Sequence, residues 1–215
     1  MITDPKINDY LLALTPARQS IVAEMETYGY GRGFPLIGPL VGRVLWQYAK
    51  ITNARRVFEM GSGYGYSAAW FALAMGSEGG VICTEGDAEN RDRAADYHER
   101  PGIASQVDFR VADARDVARE LLAANGAGTF DIVFNDVDKE QYPESFDLGW
   151  QLVRPGGLYL CDNTLWSGRV AEPVAAGDEA TAGVIEHNRR AYAVPDGFAT
   201  ILPLRDGVAV VLKAS

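Results

Sequence analysis

The chain has 215 residues, 47% of them hydrophobic, which suits a single domain over residues 1–215 with a sizeable core. A formal net charge of −9 repels phosphate backbones and makes nucleic acid an unlikely partner. No run of eighteen apolar residues is present, so no membrane span is expected, and the opening MITDPKINDY has no basic stretch leading into an apolar one, so neither is a secretory signal.

The first fifty residues read as a helical portion that packs on the rest. Ile7, Leu11, Leu12 and Leu14 fall near one face. Ile21, Val22, Met25 and Tyr28 repeat the spacing after Pro16, with Thr15 expected as the N-cap of that second helix. Residues 29–35, GYGRGFP, read as a loop, and a third helix is expected over 38–51. From residue 56 the pattern becomes strand, turn, helix, repeated. Strands are expected at 56–60, 81–84, 107–111, 131–135 and 158–161, the last after the turn Pro155-Gly156-Gly157. Helices are expected at 67–74, from Asp87 to Tyr97, from Asp113 to Ala124, at 140–153 and at 181–192. Residues 200–204, the turn Arg205-Asp206-Gly207, and 208–212 form a closing hairpin. Cys83 and Cys161 sit inside apolar runs and read as buried free thiols; nothing suggests an oxidising compartment, so a cytoplasmic protein is expected.

Strands alternating with helices imply an α/β, doubly wound fold: seven strands, mostly parallel, the last antiparallel, with helices on both faces. In such a sheet a ligand sits at the carboxyl ends of the strands, near the switch point. That rule nominates 59–67, 85–87, 113–114, 136–139 and 162–166, and every one of these segments carries an acid.

Gly61, Gly63 and Gly65 follow the first strand and open a helix. They permit a sharp turn and close approach of a ligand to free helical amides. A dinucleotide fingerprint would place a third glycine at position 66, where Tyr66 stands, and a P-loop lysine is absent. Glu59 and the neighbouring acids suit the positive amine and sulfonium of S-adenosylmethionine and would repel a pyrophosphate. Glu85 ends the second strand, where an acid can accept hydrogen bonds from ribose hydroxyls; a surface or capping role is the plainer alternative. Asp113 stands equally well at an adenine edge or as a helix cap.

Two later loops carry an all-oxygen set. Asp136 ends the fourth strand, and Asp162 with Asn163 ends the fifth. Two carboxylates and an amide favour a hard divalent cation, Mg²⁺ before Mn²⁺ or Ca²⁺, over zinc; the competing reading is ordinary helix caps and turns. Lys139 follows Asp136 by three residues. Positive charges beside it would lower its pKa and make it a general base. Tyr142 and Trp166 are candidate walls of an acceptor pocket, with a core role the alternative for either.

Through VFEMGSGYGYSAAW, VICTEGD, FDIVFNDVDKEQY, GGLYLCDNTLWSGRV and LPLRDGVAVVLK, the chain resembles the cation-dependent O-methyltransferases, the family of catechol and caffeoyl-CoA O-methyltransferases, and within it the compact bacterial members. The resemblance runs from about Phe34 to Lys213. It implies a Rossmann-like methyltransferase fold and cofactor contacts from Gly61, Gly63, Tyr66 and Ser67 with Glu59 close by, from Glu85 and Gly86, from Asp113 and Ala114, from Asp136 and Asp138, and from the backbone at Ile37. It makes Asp136, Asp162 and Asn163 cation ligands and Lys139 the base. It also implies a small hydroxylated acceptor and a homodimer. Asn135, Val137, Gly86 and Gly42-Arg43 depart from the family pattern without removing a ligand. Two other readings stand beside this one: methylation of a hydroxylated uridine in transfer RNA, and a cofactor-binding module without catalysis.

Overall fold

Alternating apolar side chains build a seven-stranded sheet in the order β3-β2-β1-β4-β5-β7-β6. The strands are β1 (Arg56–Met60), β2 (Gly80–Glu85), β3 (Val107–Val111), β4 (Phe130–Asn135), β5 (Val153–Cys161), β6 (Gly197–Leu202) and β7 (Val208–Lys213). The computed structural model describes residues 4–214; residues 1–3 and 215, counted in the expected single domain, lie outside them. β1 to β5 pair in parallel, and β7 runs antiparallel to both β5 and β6, as the hairpin pattern predicts.

The period of two sorts side chains into two cores. Val57, Leu158 and Leu160 join one, beneath α2 (Ser20–Gly31), α3 (Gly38–Ile51) and α4 (Tyr66–Met75), with Tyr97 of α5 (Ala88–Glu99). Phe58, Tyr159 and Cys161 join the other, beneath α6 (Ala114–Ala123), α7 (Tyr142–Leu152) and α8 (Glu179–Ala193). Both cysteines are buried and free. Among the described residues no helix is long and apolar enough to cross a membrane.

Three local expectations give way. Thr15 does not open α2, which begins at Ser20. Its hydroxyl donates to the Leu11 carbonyl at 2.9 Å and its N–H to Leu12, so it closes α1 (Pro5–Leu14) instead. β5 starts at Val153 and runs through the predicted turn: Phe130 pairs with Val153 and Ile132 with Leu158, so the extra residues are absorbed as an irregularity. Gly157 fits there because a Cβ would stand 2.8 Å from the Asp131 carbonyl oxygen. β6 begins at Gly197, because its pairing with β7 extends back to Gly197 opposite Lys213.

Close helix packing positions the loop after β4. A Cβ on Gly183 of α8 would lie 2.2 Å from the Lys139 carbonyl oxygen and 2.9 Å from the Glu140 Cα. Both are backbone atoms, which give way only by moving the loop. Gly183→Ala should therefore lower stability by about 2 kcal/mol, a fall in Tm of about 4–8 °C by calorimetry. An unchanged Tm would contradict this contact.

Candidate active site

The carboxyl ends of the parallel strands open on a cavity of about 610 Å³. The switch point lies between β1 and β4, where the chain reverses its order across the sheet. Of the residues expected to bind cofactor, cation or acceptor or to act as base, all line this cavity except Glu59 and Tyr142.

At one end lies the glycine turn. Gly61 adopts φ +83°, and a Cβ there would stand 2.5 Å from the Asp136 carbonyl oxygen. The Gly61 N–H donates to Thr84 Oγ1 at 3.2 Å, and the Gly63 N–H donates to Glu85 Oε2 at 2.9 Å. Glu85 also accepts from the Asp87 N–H through Oε1 at 3.2 Å, which fixes its carboxylate at the cavity rim. Asp113 fills both roles open to it: it lines the cavity, and its side chain caps α6 by accepting from the Arg115 N–H at 2.8 Å. Hydrogen bonding from the Arg115 side chain pulls the Asp113 carboxyl down to about 2.

Glu59 does not meet the cavity. It is fully buried under the turn, where Oε1 accepts from the Ser67 hydroxyl and Oε2 has no partner. Burial pushes its pKa up to about 8, restrained by the Ser67 hydrogen bond and aided by the charges of Asp136 and Glu85. In the ligand-free protein it is thus mostly uncharged at neutral pH, and it lies beneath the turn, bonded to Ser67, instead of facing a ligand in the cavity as expected. Tyr66 lines the cavity, but its hydroxyl donates to Glu26 of α2 at 2.7 Å.

The other end is acidic, with two basic side chains. Lys139 Nζ donates to Asp136 Oδ1 at 3.0 Å and to the Val137 carbonyl at 3.1 Å. Nζ also stands 4.8 Å from the Tyr142 ring centre and 5.7 Å from that of Trp166. Burial pulls the amine down, yet the charge and hydrogen bond of Asp136 outweigh it, and its pKa is raised. The nearest charge within the protein itself is negative, so the amine is held protonated; the lowering expected beside a cation and a sulfonium belongs to the loaded site. Asp162 is 1% exposed; burial and the charge of Asp136 push its carboxyl up to about 7, and Oδ1 has no partner. Tyr142 is fully buried and donates to the Asp162 carbonyl at 3.0 Å. It supports the loop from behind rather than walling the pocket. Asn163 holds φ +54°, a left-handed backbone that asparagine tolerates well. Among the described residues no group of three His, Cys, Asp or Glu side chains is placed to hold a metal; the expected set of Asp136, Asp162 and Asn163 contains only two such side chains. Asn135 is buried against Cys161 Sγ at 3.5 Å and does not reach the cavity, whereas Val137 lines it.

Among the lining residues that the sequence pattern missed are Arg205, Phe34 and Gln141. Arg205, read only as part of a turn, donates through Nη1 to the Ile37 carbonyl and lies 3.7 Å from Asp162 Oδ2. An arginine in a tight turn where glycine or asparagine is usual was the available signal.

The sequence profile described as O-methyltransferase matches residues 35–214. The chain is 33% identical over 187 residues to a catechol O-methyltransferase of Niastella koreensis, covering 84% of each protein. It is 34% identical over 180 residues to a caffeoyl-CoA O-methyltransferase of Petroselinum crispum, covering 81% of this chain and 75% of that one. Its fold is similar to the crystal structure of the O-methyltransferase TomG from Streptomyces achromogenes, involved in tomaymycin synthesis and in complex with SAM. The TM-score is 0.87 at 26% identity, over 98% of this chain and 96% of that one.

Glu59 makes stability depend on pH. Its folded pKa lies above the ordinary carboxylate value of 4.5, so the folded state keeps a proton that the unfolded state releases. The favourable term is full below pH 4.5 and is lost as pH rises towards 8, with a ceiling on the order of 5 kcal/mol. Denaturant titrations of the ligand-free protein at pH 5 and 8 should show this loss, and Glu59→Gln should reduce it by more than about 2 kcal/mol. An identical pH dependence in the variant would refute the assignment.

Proposed function

The chain belongs to the O-methyltransferase family, and from that premise we propose that it transfers the methyl group of S-adenosylmethionine to a hydroxyl oxygen of a small catechol-like acceptor, assisted by a divalent cation. One observation carries the reading: a single cavity joins the glycine turn and Glu85 to Asp136, Lys139 and Asp162. Glu85 takes the ribose hydroxyls, Gly86, Asp113 and Ala114 border the adenine, and Gly61, Gly63, Tyr66, Ser67, Asp138 and the Ile37 backbone surround the methionine portion. TomG, with SAM bound, supports this choice of cofactor.

The residues fit a cation. Asp162 is a buried carboxylate with an orphaned oxygen, beside a second carboxylate and the Asn163 amide, all lining one cavity. These three would hold Mg²⁺, or Mn²⁺ or Ca²⁺, through oxygen alone. When bound, the ion makes a hydroxyl more acidic and fixes its approach.

The chain's own groups do the rest. Trp166 walls the acceptor side. Tyr142 holds the Asp162 backbone in place. Lys139 Nζ takes the hydroxyl proton, and it does so from its neutral form; Asp136 is the group that keeps it protonated until its charge is taken up elsewhere. The acceptor oxygen then forms its bond to the methyl carbon as the carbon–sulfur bond breaks, leaving S-adenosylhomocysteine. Holding the two reactants aligned supplies several kcal/mol of the acceleration, on the order of 7 or more in well-oriented systems.

Two outcomes are expected with catechol as acceptor. Lys139→Ala should lower kcat by about 10²–10⁴, with S-adenosylmethionine binding by calorimetry largely retained; normal turnover would remove Lys139 from the mechanism. Excess EDTA should abolish turnover and added Mg²⁺ restore it. Full activity in EDTA would sink the role of the cation.

A further inference from the structure

We propose that Arg205 recognises a carboxylate on the acceptor, so that the preferred substrates are acidic hydroxylated rings rather than neutral catechols. The proposal rests on the O-methyl-transfer reading of this cavity and names its acceptor class.

Arg205 stands in the turn between β6 and β7 with φ +53°, a backbone region that arginine rarely adopts. The turn is clamped to the loop that follows Asp162 and Asn163. The Thr164 N–H donates to the Gly207 carbonyl at 3.1 Å, and the Leu165 N–H donates to the Asp206 carbonyl at 2.8 Å. Gly207 allows the contact, since a Cβ there would stand 2.8 Å from the Leu165 nitrogen. Arg205 is thus mounted on the same framework as the acidic end of the site. Its side chain is only 27% exposed and lines the cavity instead of reaching into solvent.

The guanidinium is not consumed by the protein. Its hydrogen bond to Ile37 and its approach to Asp162 both use Nη1, and the 3.7 Å to Asp162 is too long for a hydrogen bond. The fork of Nε and Nη2 remains for a ligand. A planar fork of N–H donors matches a carboxylate through two parallel hydrogen bonds. The other basic residue of the lining, Lys139, is already hydrogen-bonded to Asp136. Position decides which ligand is read. Arg205 lies beside Asp162, at the opposite end from Glu85 and Asp113, so it faces the acceptor and not the ribose.

The test compares 3,4-dihydroxybenzoate with catechol. Both carry the same vicinal hydroxyls, so the ratio of their affinities isolates the carboxylate. Calorimetric titration into protein loaded with S-adenosylhomocysteine and Mg²⁺ should show the acid bound at least about tenfold more tightly. Arg205→Asn, suited to the left-handed turn, should bring the ratio close to one, and Arg205→Lys should keep part of it. Circular dichroism verifies that both variants are folded. Equal affinities in the parent protein, no binding of the acid, or a preference that survives Arg205→Asn would overturn the proposal. So would a tenfold loss of S-adenosylhomocysteine affinity with the ratio unmoved, which would assign Arg205 to the cofactor carboxylate. Selective binding of the acid without methyl transfer to either ring would defeat the acceptor chemistry proposed above and leave the Arg205 assignment standing.

Discussion

The Asp136 carbonyl oxygen lies 2.5 Å from where a side chain on residue 61 would begin, and the site depends on that side chain being absent. β1 and β4 are neighbours at the switch point of the sheet, so the loops leaving them must pass each other. Gly61 makes the passage possible, and the Asp136 N–H seals it by donating to the Met60 carbonyl at 2.8 Å. The turn suited to a nucleoside cofactor and the aspartate suited to a cation are thereby held within one cavity. Methyl transfer needs that proximity, because donor and acceptor must meet in line at one carbon.

Crowding acids at this junction has an electrostatic cost. Glu59 keeps its proton up to about pH 8, and the Asp162 carboxyl is pushed up to about 7, both chiefly by burial. Lys139 and Arg205 offset part of the charge at the acidic end, one through a direct hydrogen bond and one at 3.7 Å. The orphaned Asp162 oxygen shows that the offset is incomplete within the protein itself. Behind the loops the supports are uncharged. The Tyr142 hydroxyl holds the Asp162 backbone, and His187, held down to about 4 by burial, packs neutral against the Tyr142 ring at 5.3 Å. A rigid neutral shell around a few charged groups is how a site keeps its geometry while its charges change.

Hydrophobic period and turn chemistry made the sheet, its switch point and most of the cavity lining legible, because strand ends in a doubly wound sheet have a known destination. What remained hidden was the direction in which individual side chains point. Glu59 shares the face of Val57, not that of Phe58 and Met60, so the alternation places it beneath α4 rather than in the cavity. Tyr142 shares a helical face with Phe146, four residues on, which turns it into the second core. Thr15 and Pro16 carried a sound local signal for a helix start, but the Thr15 hydroxyl was claimed by the helix before it. Local pattern names the element; the partners on either side decide its boundary.

The same limit explains why one part of the cavity wall is less readable than the rest. It comes from opposite ends of the chain: the segment at 34–37 and the β6–β7 turn, joined by the hydrogen bond from Arg205 to the Ile37 carbonyl across 168 positions. Phe34 packs its ring on Tyr64 at 4.9 Å and against Gly63, which ties the first of these segments to the glycine turn as well. Neither segment carries a periodic pattern, and each reads alone as a connection. Once folded they face one another over the cofactor turn and the acidic loops. Lining residues on strand ends are announced by topology; those on two irregular segments are brought together only by the folded chain.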